Sequence, residues 1–368
     1  MNIVIFTMSL NRGGAERVIT NLCNEYLSKK HQVTIVTCIR ALPQYSLDRR
    51  VRHICIDRLP EEKDQNKIMR FIRRRKSLRR LLNSLSIDIM LNILPEPSFL
   101  ALSLKNKYSF PMIVSVRSDP VMEYGFLPYY LMMRLWYPRA DGFIMQTKEA
   151  KNYFPQSIRR KAAVIPNPIN MEAVRESFAG ERKKEIVAVG RLTEEKNYPL
   201  LIQVYQKISS KFPEYKLLIY GEGELRQELE ALIEKLGLKN KAFLAGRKED
   251  IFERIYKSSL FVMTSDHEGM PNALMEAMAL GLPVISTNCP CGGPGFFIQN
   301  QKNGLLVEPG NKQELEKAME ELLSDQAYAK KLGEQAGRIA KMLSPEKIYQ
   351  KWEKYLSYIA EGKNDGNK

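Results

Sequence analysis

Two carboxylates, Glu268 and Glu276, mark the most informative stretch of this 368-residue chain, Thr264-Ser265-Asp266-His267-Glu268-Gly269-Met270-Pro271-Asn272-Ala273-Leu274-Met275-Glu276. The apolar run Leu260 to Met263 before it reads as a strand. Pro271 suits a first helical turn, where its missing N–H goes unneeded, and Gly281 suits the helix end. The pattern therefore predicts Glu268 at the carboxyl end of a strand and Glu276 inside the next helix. Free N–H groups and the dipole at that helix start attract phosphate. A pair of solvated surface glutamates fits the spacing as well.

A second constellation, Gly190-Arg191-Leu192-Thr193-Glu194-Glu195-Lys196-Asn197, follows another β-type run. Gly190 allows a sharp turn over a sheet edge. Arg191, as a bidentate fork, and Lys196, as a point charge, are able to reach an anion there, or to pair with Glu194 and Glu195 on the surface. Five scattered Cys fit reduced thiols rather than a disulfide framework. Cys289-Pro290-Cys291 has no second ligand pair at metal spacing, and the chain contains no Asp-x-Asp.

These residues need elements to hold them. Ile3 to Phe6, Asn11-Arg12-Gly13-Gly14, the helical pattern Ala15, Val18, Ile19, Leu22, Tyr26 and the run Val33 to Cys38 give strand, turn, helix, strand. Ile87 to Ile93, Met112 to Val116 and Gly142 to Met145 continue the alternation. After a polar stretch from Glu176 to Lys184, read as a linker, it restarts at Ile186 to Val189 and runs through Leu217 to Tyr220, Ala242 to Leu244, Leu260 to Met263, Pro283 to Ser286 and Leu305 to Val307. The expectation is an α/β chain of two doubly wound Rossmann-like domains, 1–175 and 176–345, with a C-terminal helix and polar tail, 346–368, able to pack back on the first domain. Parallel sheets bind ligands beyond the carboxyl ends of their strands, so two such domains facing a central cleft place the site in it.

With 44% hydrophobic residues the chain is neither disordered nor fibrous. No run approaches the roughly 20 apolar residues of a membrane span. The start, Met1-Asn2-Ile3-Val4-Ile5-Phe6-Thr7, lacks a basic leader and a cleavage site, which predicts a cytoplasmic protein. Residues 1–180 hold 29 basic and 15 acidic side chains, net +14, and the rest hold 28 and 27, net +1. Different partners for the two halves are expected. No reading-helix, zinc or RNA-binding signature is present, so nucleic acid is not an expected partner.

In order and spacing, Gly13-Gly14-Ala15-Glu16, Gly190-Arg191-Leu192…Lys196-Asn197, Gly221-Glu222-Gly223, Glu268…Glu276 and Asn303-Gly304-Leu305-Leu306-Val307 resemble the retaining nucleotide-sugar glycosyltransferases with the GT-B fold. The resemblance covers nearly the whole chain and is strongest to enzymes of bacterial capsule, O-antigen or lipid-linked oligosaccharide assembly. It implies transfer of a hexose or N-acetylhexosamine, with retention, from a nucleotide-sugar donor, UDP-linked, to a polyprenyl-diphosphate-linked glycan. It assigns Arg191 and Lys196 to the donor diphosphate, Glu276 to the ribose hydroxyls and Glu268 to the sugar. The N–H groups of Asn272 and Ala273, with Gly14 and Gly190, would approach the phosphates. The cations and the helix start would stabilise the departing diphosphate, so no metal and no cofactor is expected.

Two departures stand out. Where many relatives carry a His after the Met112 to Val116 strand, this chain has Arg117-Ser118-Asp119, which leaves Arg117 and Asp119 as acceptor-side candidates. Gly292-Gly293-Pro294-Gly295-Phe296-Phe297-Ile298 stands where relatives often have a Glu, and reads either as a donor-side backbone contact or as a structural turn. A sugar-nucleotide epimerase and a non-catalytic sugar-nucleotide or polyanion binder remain the competing classes.

One motif lies outside this frame. At 100° per residue, Ile68, Phe71, Ile72, Leu78, Leu81, Leu82 and Leu85 share a face, flanked by Arg74, Arg75 and Arg79. Seven Arg or Lys stand between Arg70 and Arg80 with no acid among them. Such a helix either faces a core or meets an anionic membrane surface, here the inner face of the cytoplasmic membrane.

Overall fold

The computed structural model describes residues 1–11, 14–39, 47–57 and 66–362. The chain divides into two compact units, Met1–Asn167 with Glu346–Lys368, and Pro168–Pro345.

In the first unit, seven parallel strands lie in the order β3-β2-β1-β4-β5-β6-β7. They are β1 (Asn2–Thr7), β2 (Gln32–Thr37), β3 (Arg52–Cys55), β4 (Ile89–Ile93), β5 (Met112–Ser115), β6 (Gly142–Met145) and β7 (Ala162–Val164). Both faces of the central strands are covered, so β4, β5 and β6 are apolar almost throughout and wholly buried. The helices that matter below are α1 (Gly14–Ser28), α2 (Lys67–Leu82), α3 (Pro95–Leu102), α4 (Pro120–Tyr124) and α5 (Leu127–Trp136).

The second unit has six parallel strands in the order β10-β9-β8-β11-β12-β13. These are β8 (Lys183–Val189), β9 (Lys216–Tyr220), β10 (Ala242–Leu244), β11 (Ser258–Met263), β12 (Val284–Thr287) and β13 (Leu305–Val307). In each unit the strand order reverses beside the first strand, at β1/β4 and β8/β11, which is the switch point where such sheets bind ligands.

The sequence-based boundary at 175/176 lies inside the second unit. The stretch expected as a linker is tied into that unit's framework. Tyr256 donates to the Glu176 carbonyl, Arg182 donates to the carbonyls of Tyr256, Ser258 and Gly281, and Lys183 and Lys184 already belong to β8. Polarity hides this tie, because the bonds satisfy backbone carbonyls rather than bury side chains.

From Glu346 the chain rejoins the first unit. The helix Pro345–Ala360 buries Ile348, Trp352, Leu356 and Ile359 on one face. The Tyr355 hydroxyl accepts from the Phe143 N–H at 2.8 Å and donates to the Lys161 carbonyl at 2.6 Å.

Candidate active site

The site of the second unit is built at the carboxyl ends of β8, β9 and β11. At the exit of β8, the Gly190 N–H bonds to the Tyr220 carbonyl and the Leu192 N–H to that of Glu222. The exit of β9 therefore lies on that of β8. A Cβ on Gly221 would stand 1.8 Å from the Gly190 oxygen and one on Gly223 2.4 Å from the Leu192 oxygen, so backbone approach demands both glycines.

The turn after Gly190 is bolted to the loop after β11. The Asp266 N–H bonds to the Glu195 carbonyl at 2.9 Å, and Thr264 Oγ1 donates to the carbonyls of Lys196 and Asn197. Asn197 adopts φ 46°, a left-handed conformation that Asn tolerates. Its Nδ2 reaches both Asp266 oxygens at 3.0 and 3.1 Å, and its Oδ1 caps the helix Tyr198–Lys211.

This clamp brings Lys196 and Glu268 together, with Nζ 2.5 Å from Oε1. Ser265 Oγ donates to the same oxygen at 2.8 Å. Both charged side chains are mostly enclosed, at 18% and 12% exposure. Beside them, burial and then the charge of Glu268 push the Cys289 thiol up to about 12. That thiol stays protonated at neutral pH, as a packing residue rather than a thiolate ligand.

The helix Asn272–Ala279 starts just after this pair, with Pro271 in the cap position. Its first N–H groups, including those of Asn272 and Ala273, have no acceptor within the helix. Glu276 is 7% exposed on the same helix. Gly292 takes φ 70° at the start of the short helix Gly293–Phe297, and a Cβ on Gly293 would stand 2.0 Å from the Gly269 oxygen. The glycine run thus seats one loop directly on the loop that carries Glu268. Arg191 is 72% exposed on its side chain and pairs with Glu195 at 3.0 Å.

Two family models match the chain. Residues 12–173 match Glycosyltransferase Family 4, and residues 170–339 match Glycosyl transferases group 1. The chain belongs to the glycosyltransferases. It is 26% identical over 99% of both chains to the GalNAc-alpha-(1->4)-GalNAc-alpha-(1->3)-diNAcBac-PP-undecaprenol alpha-1,4-N-acetyl-D-galactosaminyltransferase of Campylobacter jejuni. A match to an uncharacterized glycosyltransferase of Methanocaldococcus jannaschii, 31% identical, covers 55% of this chain and 57% of that protein. Among solved structures, the Anabaena protein HepE in complex with UDP-glucose superposes with a TM-score of 0.83 at 18% identity, covering 97% of this chain and 99% of that one. The fold is GT-B.

The glycosyltransferase's first unit holds the remaining candidates. Gly14 opens α1 beyond the carboxyl end of β1, while its neighbour Gly13 lies outside the described residues. Arg117 is turned inward. Its guanidinium carbon stands 4.9 Å over the Trp352 ring, Nη1 donates to Asn167 at 2.9 Å, and burial pulls its pKa down to about 10. Asp119 is 3% exposed and caps α4 by accepting from the Val121 N–H at 2.9 Å. Both residues thus have structural tasks.

The centre of the basic helix is built into the first unit. Arg74 is 1% exposed, with Nε 3.1 Å from Asp57 and Nη1 2.8 Å from Glu96. Arg73 also bonds to Asp57, and Arg75 donates to Ser103. The acids that pair with Arg73 and Arg74, Asp57 and Glu96, lie outside the helix. Leu78 and Leu82 are buried in the core of the first unit. Among the described residues, no helix is long and apolar enough to cross a membrane. Ser265, Asp266 and Asn197 as the clamp around Lys196 and Glu268 were missed from sequence; only their position inside the two loops signalled them.

Proposed function

We propose that this glycosyltransferase moves a hexose or N-acetylhexosamine from a UDP-sugar to a lipid-linked glycan, with retention of anomeric configuration and without a metal. The observation that carries the reading is the pairing of Lys196 with Glu268 at the carboxyl ends of β8 and β11, with the helix Asn272–Ala279, which carries the buried Glu276, beginning just after Glu268. In the absence of donor, Lys196 and Glu268 compensate each other, as enclosed charges must. An arriving donor offers each a replacement: diphosphate oxygens for Lys196, sugar hydroxyls for Glu268. The N–H groups of Asn272 and Ala273 would add hydrogen bonds to phosphate, and Glu276 would accept from the ribose. Arg191, exposed and paired with Glu195, would swing toward the diphosphate.

Breaking the bond between anomeric carbon and phosphate oxygen leaves growing negative charge on the diphosphate. Prepositioned cations and backbone donors oppose that charge. In a front-face displacement the departing phosphate oxygen takes the acceptor's proton, so a protein base is unnecessary. Support for the acceptor class comes from the Campylobacter relative, named for an undecaprenol diphosphate glycan. The cytoplasmic membrane face is where such an acceptor would be met.

The test is release of free nucleoside diphosphate from a panel of nucleotide sugars, with and without a lipid-linked glycan. Release that requires acceptor and survives a chelator is expected. Donor interconversion without acceptor would identify an epimerase, stabilisation by donor without turnover would identify a binding protein, and activity lost to chelation but restored by a divalent ion would overturn the metal-free mechanism.

A further inference from the structure

We infer that the first unit docks on an anionic lipid surface through the outer face of α5, with exposed cations of α2 and α5 as its basic rim. The inference deepens the proposed function by naming where a lipid-linked acceptor is met, and it rests on that reading only for its purpose. The α5 helix has two faces. Met133 is buried, and Tyr129, Met132 and Trp136 pack on the core of the unit. On the outer face Leu127, Leu131 and Leu135, spaced four apart, are 64%, 56% and 58% exposed. Phe126 and Tyr130 flank them, and Val121 and Met122 on α4 extend the exposed apolar surface. The amino-terminal turns of α2 adjoin it, because Phe71 stacks on Trp136 with ring centres 5.5 Å apart and planes at 8°, and Ile68 and Ile72 stay exposed there.

So many large apolar side chains on neighbouring helices mark an interaction surface. The exposed charge on these helices selects its occupant. Lys67, Lys76, Arg79 and Arg80 on α2 and Arg134 on α5 are exposed, as is Arg139 just after α5. In the residues of α2, α4 and α5 the one acid is Glu123, whose carboxylate accepts from Ser118. Glu61, Glu62 and Asp64 precede α2 in a segment outside the described residues. A second copy of the same face would bring like charges together, whereas lipid phosphates complement them. At ten residues, α5 is about 15 Å long, so it lies in the interface plane rather than spanning it. The sequence placed this attachment on the arginines of the α2 stripe; the structure commits Arg73, Arg74 and Arg75 to Asp57, Glu96 and Ser103 instead.

Flotation of the full chain with vesicles tests the inference. Vesicles of phosphatidylcholine alone are compared with vesicles containing phosphatidylglycerol. Two variants are used: Leu127→Ser with Leu131→Ser and Leu135→Ser, and Lys76→Gln with Arg79→Gln and Arg80→Gln. All positions are exposed, and circular dichroism checks that both fold. The original protein is expected to bind only the anionic vesicles and to lose binding as salt rises. The serine variant should bind about tenfold less or weaker still, and the glutamine variant should bind less with a flatter salt dependence. No binding by the original, equal binding by the serine variant, or a dimer seen by light scattering that the serine variant loses would overturn the proposal. The assay contains no donor, so its failure leaves the transferase reading standing, and loss of transferase activity leaves vesicle binding readable.

Discussion

In the proposed mechanism Lys196 and Glu276 have different expected effects, because Lys196 would oppose a charge that grows during reaction and Glu276 would hold hydroxyls throughout. Lys196→Met is expected to lower turnover by about a hundredfold or more, by analogy with loss of one charge-stabilising donor. Glu276→Ala should instead weaken apparent donor affinity about ten- to a hundredfold, the worth of one or two charge-assisted hydrogen bonds, with a smaller change in kcat. Steady-state kinetics with donor varied at saturating acceptor separates the two. Glu123 offers a test by pH. Burial raises its carboxyl from 4.5 to about 7, with the Ser118 bond acting the other way. The folded protein therefore binds this proton more tightly than the unfolded chain, so stability from this group is lost as pH rises from about 4.5 through 7. Urea unfolding at pH 5 and pH 8 should show Glu123→Gln gaining up to about 3 kcal/mol on the original protein over that interval. Equal differences at the two pH values would show that the carboxylate ionises freely.

At the scale of elements, the loops after β8, β11 and β12 form one assembly held by backbone and side-chain contacts. The clamp of Asn197 on Asp266 fixes the turn that carries Lys196, and Gly293 lies against Gly269 without room for a side chain. Gly293→Ala would force the Glu268 loop to move, because the clashing atom is a backbone oxygen, not the end of a flexible side chain. A turnover at least about tenfold lower, with the melting temperature changed by only a few degrees, is the expected result, since misplacement near 1 Å suffices for such losses. Unchanged turnover would mean that the loop contact serves stability alone.

At the scale of the molecule, the last helix completes a unit begun at the other end of the chain. Trp352 is fully buried, with Arg117 over its ring, and Glu353 pairs with Lys29 on α1. Trp352→Ala should cost about 3 to 5 kcal/mol in urea unfolding of the first unit, as for other large buried aromatics. A loss below about 1 kcal/mol would show that the helix is dispensable to that unit.

The chain's own pattern determined the two parallel-sheet architectures, because a strand buried on both faces reads as a nearly continuous apolar run, and Ile89–Ile93, interrupted only by Asn92, and Leu260 to Met263 within Ser258–Met263 are such runs. It also placed Glu268 after a strand and Glu276 within a helix, since Pro271 and Gly281 punctuate that segment. The short strands Arg52–Cys55 and Ala162–Val164 were not legible, because each lies at a sheet edge, is only partly buried and needs no long apolar run. Nor was the fate of the arginines. Periodicity gave Arg74 a place beside an apolar stripe, but only folding supplied Asp57 and Glu96, and a charge is buried where its partners are, whatever its neighbours in sequence. The same holds for Lys196 and Glu268: residue type allowed an anion at Lys196 and the family resemblance implied a sugar at Glu268, while the 2.5 Å pairing of two side chains 72 residues apart was decided by the tertiary structure.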